Sequence, residues 1–167
     1  MAVLAPSPDA IKAIHSTFIR QYGIDGYMSE GMVEGCLERA MTYVYNFKPF
    51  PKLFLKAAAI LFSFIVFHPF VDGNKRTAFQ TTRVFLQLNG YELTVDPEEG
   101  VQFTKAIADQ KITDIGEIVK WLRQHSKRSL LYLATCLMLK FSLQNASERS
   151  RKMLQELLFP AVRLYPD

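Results

Sequence analysis

Cysteine is scarce in this chain. Cys36 and Cys136 are the only two in 167 residues. They lie far apart in apolar surroundings, with no CxxC or Cys/His ligand spacing, so a zinc knuckle or a disulfide scaffold is excluded and two reduced, buried thiols are expected. Long hydrophobic runs are missing too: the run Ala57–Phe67 spans 11 residues, about half of the ~20 needed to cross a bilayer. The N-terminal MAVLAPSPDA has no basic residues leading into an apolar stretch, as a secretory signal requires. Neither sign of charge dominates, with 20 Lys and Arg against 16 Asp and Glu and a pI near 9.1. That mild basicity suits nucleotides, nucleic acid or an acidic partner and selects none of them. The cations are scattered except at Lys127-Arg128 and Arg149/Arg151/Lys152, which argues against a nucleic-acid groove. No internal repeat or low-complexity segment is visible. The expectation is a cytoplasmic protein without membrane association, built on one good core plus an appendage.

What is present is helical periodicity. Ser7-Pro8-Asp9 starts a helix with Ile11, Ile14, His15, Phe18 and Ile19 on one face, stopped at Gly23. His15 on that face reads as a packing histidine, since no companion carboxylate or cysteine is near it in sequence. Ser29 is positioned to cap a second helix carrying Met32, Val33, Cys36, Leu37 and Ala40. Residues 42–51, TYVYNFKPFP, are aromatic and β-branched with two prolines and suit an extended or hairpin-like segment. Leu53–Phe67 is apolar around nearly its whole circumference, the mark of a central helix buried on all sides. A further helix over 74–89 stops at Asn89-Gly90, Tyr91–Val95 is briefly extended, Asp96-Pro97 opens a helix to about Asp109, and Thr113 or Asp114 opens another. Beyond that, Leu130–Leu143 and Ser147–Phe159 predict two more apolar-faced helices. They serve either to complete the core, to form an oligomer contact, or to cover a partner surface.

One stretch concentrates chemistry: His68-Pro69-Phe70-Val71-Asp72-Gly73-Asn74-Lys75-Arg76. Pro69 ends the helix before it, Gly73 allows a tight turn, and Asn74 is a good cap for the helix after it. The free amides of that helix's first turn, beside two cations, attract phosphate. His68 can accept a proton from an attacking hydroxyl. Asp72 is a hard oxygen ligand suited to magnesium on substrate phosphates, Lys75 and Arg76 can stabilise charge on a transferring group, and Phe70 anchors the loop in the core. Taken singly, each of these residues reads more simply as an ordinary surface group; the nine together do not.

HPFVDGNKR resembles the signature of the Fic/Doc family, HPFx(D/E)GN(G/K)R. The similarity extends through YGIDGYMSEGMVEGCLERA at 22–40, FPKLFLKAAAILFSFIVFHPFVDGNKRTA at 50–78, FLQLNGYEL at 85–93 and IGEIVKWLRQHS at 115–126. It implies an all-α Fic-fold helical bundle around a buried central helix, with a short β-hairpin-like flap at 42–51 over the active site. The division follows as a Fic/Doc domain over 1–126 and a C-terminal helical extension over 127–167. Lys48 and Phe50 would belong to the flap, which in such folds docks the target's main chain by strand addition.

The resemblance also implies a transferase that uses ATP and Mg2+. His68 would be its catalytic base, Gly73, Asn74, Lys75 and Arg76 the phosphate site, and Asp72 the metal ligand. Two reactions are open: AMP transfer to a protein hydroxyl, typical of Fic proteins, and γ-phosphate transfer, typical of Doc-like members. Lys75 at the eighth motif position, and Phe79 where the AMP-transferring pattern has a second arginine, favour the kinase. Pro69 and Gly73 match the AMP-transferring pattern. A non-catalytic binding module is the third reading, against which the intact motif argues. On the favoured reading the protein is a toxin acting on a translation factor such as elongation factor Tu. Its inhibitor would be a small Phd-like antitoxin, because Glu34-Gly35 and Glu99-Gly100 each miss the (S/T)xxxE(G/N) inhibitory spacing by one residue. Met28-Ser29-Glu30 stands where many Doc-like chains have an arginine–aspartate pair.

Overall fold

The computed structural model describes residues 3–29, 31–42, 50–145, 147 and 162–165. Its axis is α3 (Leu53–Val66), where Phe54, the run 56–61, and Ser63, Phe64 and Ile65 are all buried. A helix with no polar face must be covered on every side. Here α4 (Asn74–Leu88), α2 (Met32–Met41), α6 (Ile115–Gln124) and α5 (Pro97–Ala108) cover it. The one charge in the middle of α3, Lys56, is satisfied in place: its Nζ donates to the Ala40 carbonyl at 3.0 Å. α1 (Pro8–Tyr22) lies against α4 and α2. The result is an all-helical bundle around a buried central helix.

The caps explain most boundaries. Ser7 accepts from the Ala10 amide, Asp96 from Glu98 and Glu99, and Asp114 from Gly116 and Glu117, so three helices begin at the residues expected to start them. Two caps differ from expectation. Gly31 rather than Ser29 precedes α2, and Gly73 rather than Asn74 precedes α4, each in a left-handed conformation with no side-chain cap bond. The reason at α4 is that the Asn74 side chain is committed elsewhere.

The small sheets were less visible in the sequence. β1 (Val3–Pro6), buried throughout, pairs antiparallel with β4 (Val162–Tyr165). The β1 backbone is also held by Asn89, whose Oδ1 accepts from the Leu4 amide at 3.1 Å and whose Nδ2 donates to the Leu4 carbonyl at 2.7 Å. β2 (Tyr91–Leu93) pairs with β3 (Ser126–Arg128), which confirms the brief extended segment after Gly90 and adds its partner. α7 (Leu130–Asn145) buries Cys136 and Leu139 against Leu4 but leaves Leu130, Leu131, Leu137 and Met138 exposed. Both cysteines are free and buried, and burial pushes the Cys36 thiol up to about 11. The flap residue Lys48 lies outside the described residues, as does the expected helix over 147–159 beyond its first residue. Phe50 is partly buried and packs against the main core. Among the described residues, no helix is long and apolar enough to cross a membrane.

Candidate functional site

The site begins where α3 ends. Phe67 caps the helix, and the next residue, His68, turns the chain at φ +47. A left-handed residue just past a helix end is usually glycine, and for an L side chain it costs about 1–2 kcal/mol. Such strain clusters at functional sites. His68 is exposed, whereas Pro69 and Phe70 are buried.

Three sets of contacts fix the loop that follows. The first is a strap from the segment after α1. The Met28 amide donates to the Pro69 carbonyl and the Val71 amide to the Gly26 carbonyl, both at 3.0 Å, around an antiparallel bridge of Tyr27 with Phe70. The second is Phe70 itself, 1% exposed, whose burial contributes about 1.5–3 kcal/mol. The third is Asn74. Its Oδ1 accepts from the Phe70 amide at 3.0 Å and its Nδ2 donates to the Phe70 carbonyl at 2.7 Å. The Asn74 side chain therefore faces back into the loop as a brace. What it offers a phosphate is its backbone amide.

Gly73, at φ +73, makes the tight turn into α4, a conformation only glycine adopts freely. The first helical bond of α4 runs from the Thr77 amide to the Gly73 carbonyl at 2.9 Å, so the amides of Asn74, Lys75 and Arg76 have no acceptor within the helix. These three residues line a cleft of about 410 Å³ together with Ile19, His68, Val71, Asp72 and Gly73. Of the residues singled out in the sequence, His68, Asp72, Gly73, Asn74, Lys75 and Arg76 meet here, and Phe70 lies beneath them. Phe50 is not among the lining residues. Asp72 is exposed, and its Oδ1 accepts from the Gly73 amide at 2.6 Å. It is the only carboxylate among the lining residues, and among the described residues no cluster of three or more metal-ligating side chains occurs.

A second cavity, of about 450 Å³, shares Lys75 and Arg76 with the first. Its remaining wall is largely apolar: Phe18, Phe79, Val95, Pro97, Gly100 and Val101, with Gln80, Arg83, Asp96 and Thr104 at intervals. The sequence placed Phe79 on α4 without indicating that it faces a cavity. Two further contributors escaped sequence reading, the strap at Gly26–Met28 and His15. Nothing local marks the strap, because its partner lies more than forty residues away. His15 showed only its place on the buried face of α1.

A model of the Fic/DOC family matches residues 5–86. Over 66 residues the chain is 41% identical to a protein named Toxin Doc from Mycolicibacterium smegmatis (strain ATCC 700084 / mc(2)155), covering 40% of this chain and 51% of that protein. Over 93 residues it is 32% identical to a protein named Protein kinase doc from Escherichia phage P1, covering 55% of this chain and 73% of that protein. The chain thus spans about half the length of the first relative and nearly three quarters of the second.

Proposed function

The chain belongs to the Fic/DOC family, and from that premise we propose that it is a Doc-like toxin that transfers the γ-phosphate of ATP to a hydroxyl of a protein target. The observation that carries the choice of reaction is the wall beside Arg76. Where the AMP-transferring pattern has a second arginine, Phe79 lines an apolar cavity with Val95, Pro97 and Val101. A cavity of that character suits a nucleoside base, while the adjoining amides and cations suit its phosphates. A nucleotide bridging the two would carry its terminal phosphate toward His68.

In that arrangement the hydroxyl oxygen of the target attacks the γ-phosphorus, its proton passes to His68, and the bond to the β-phosphate oxygen breaks to release ADP. His68 lines the cleft, and the strap and Phe70 fix the backbone that follows it, which supports the positioning such a step needs. Lys75, Arg76 and the amides of residues 74–76 would take up charge on the transferring group. Magnesium, when bound, neutralises phosphate charge. A single exposed carboxylate at Asp72, with one oxygen already engaged by the Gly73 amide, fits an ion that keeps most of its ligands as water and phosphate.

The target is inferred to be a translation factor, elongation factor Tu among the possibilities, with a Phd-like antitoxin as the restraining partner. The restraint is inferred to come from a separate chain because both internal candidates miss the inhibitory spacing by one residue and neither glutamate lines the cleft. Glu34 pairs with Lys12 at 2.9 Å and Glu99 with His125 at 2.8 Å.

The test uses magnesium, a cell lysate and ATP labelled on either the α- or the γ-phosphate. Label reaching a protein only from the γ-position is the expected result. Label from the α-position would replace this reading by AMP transfer, which Pro69 and Gly73 also match, and neither label with folded protein would favour a binding module. His68→Ala is expected to abolish transfer and leave the fold intact.

A further inference from the structure

His15 is fully buried on α1, where the periodicity of Ile11 and Ile19 puts it on the core face. Its neighbours are the surprise. The imidazole lies flat on Phe70, with ring centroids 3.8 Å apart and planes 10° apart. Its Nδ1 is 3.2 Å from the Thr77 hydroxyl, in the first turn of α4. Its Cε1 lies 3.3 Å from the point a β-carbon on Gly73 would occupy. One side chain therefore touches the aromatic anchor, the glycine turn and the start of the helix whose first residues line the cleft.

Packing alone does not account for a histidine here. Its Nε2 is buried and has no hydrogen-bond partner among the described residues, and an orphaned polar atom carries a desolvation cost that no bond returns. A phenylalanine would stack on Phe70 without that cost. Burial holds the imidazole in its neutral form by lowering its pKa, with the carboxylates of Asp25 and Asp72 pulling the other way. What the histidine has and a phenylalanine lacks is a polar atom directed at Thr77. Thr77 is itself fully buried, and its amide makes the first hydrogen bond of α4, to Gly73.

We propose that His15 is a positioning residue of the phosphate loop, which through Phe70 and Thr77 fixes the Gly73–Arg76 backbone in the arrangement that presents its amides to the cleft. The inference rests on reading that loop as the phosphate site, but its first test needs no nucleotide. Amide hydrogen exchange is measured on the ligand-free protein for His15→Phe, Thr77→Val and the double variant. The probes are the hydrogen-bonded amides of Phe70, Val71 and Thr77, with that of Ile118 in α6 as reference.

Positioning predicts that His15→Phe melts no lower than the unmodified protein yet exchanges at the loop amides at least tenfold faster, with Ile118 unchanged. Thr77→Val should do the same, and the double variant should be no worse than either single one, because both remove one interaction. Unchanged loop exchange in folded His15→Phe would overturn the proposal, and so would an equal acceleration at Ile118, the sign of a merely structural residue. The second measurement is calorimetric titration with Mg2+ and ATP, where His15→Phe is expected to bind at least tenfold more weakly. Wild-type binding equal to that of His15→Phe would count against the proposal. Failure of the wild-type protein to bind ATP at all would overturn the proposed function, while the exchange comparison would still decide the role of His15.

Discussion

Replacing His68 by glycine and by alanine in parallel separates the two things that residue does. Both variants lose the imidazole, and only glycine relieves the backbone. At φ +47 an L residue carries about 1–2 kcal/mol of left-handed strain, and alanine carries it as fully as histidine. Glycine carries none, but its greater freedom in the unfolded chain returns about 0.5–1 kcal/mol. The difference leaves His68→Gly more stable than His68→Ala by about 0.5–1 kcal/mol. For a chain of this size that corresponds to a melting temperature higher by roughly 1–4 °C. Because His68 is exposed, little packing is lost in either variant. The assay is a pair of thermal melts followed by circular dichroism, alongside γ-phosphate transfer. Transfer should be absent from both variants. An alanine variant as stable as the glycine one would limit the strain at residue 68 to about 0.5–1 kcal/mol, and one more stable by that amount would show that residue 68 stores none. Transfer surviving in either would remove His68 from the role of base.

Other outcomes follow from the same geometry. Asn74→Ala leaves the buried amide and carbonyl of Phe70 without partners, a loss of about 2–5 kcal/mol, and urea unfolding showing less than 1 kcal/mol would contradict the brace. Phe79→Arg puts a cation into the apolar cavity and should lower γ-phosphate transfer at least tenfold; undiminished transfer would move the nucleoside base elsewhere. Burial lowers the His15 pKa below the ordinary 6.5, so the unfolded chain takes up that proton first. Stability is then full above pH 6.5 and falls as pH drops below it, by at most about 1.4 kcal/mol per pH unit. Urea midpoints between pH 7 and 5 should show this slope, and His15→Phe should flatten it; an equal slope in the variant would assign the effect to other groups.

The helices and the motif were legible because their signals are local. Leu53–Val66 is apolar on every side, Asp96 and Asp114 stand before runs of helical period, and Asn89-Gly90 closes α4. The site residues were legible because nine neighbours in sequence become neighbours around one cleft. What stayed hidden depends on long-range pairing. The strap of Gly26–Met28 on Pro69–Val71 needs a partner that no local pattern announces, and β1 finds its partner near the opposite end of the chain. Asn74 reads as a helix cap by residue type, since its preference for local backbone groups is real. It expresses that preference toward Phe70 instead. His15 shows how a correct face assignment falls short of function: the helical wheel puts it in the core, and only the tertiary fold reveals that this part of the core is the underside of the loop.

The pairing of β1 with β4 bears on how the chain matures during its own synthesis. Val3–Pro6 can dock on Asn89 as soon as α4 has formed, but its other edge is completed only by Val162–Tyr165. At ribosomal rates of about 5–20 residues per second, the roughly 70 residues between Asn89 and Val162 take about 4–14 s to appear. For that interval the cleft-forming helices exist while one seam of the bundle lies open.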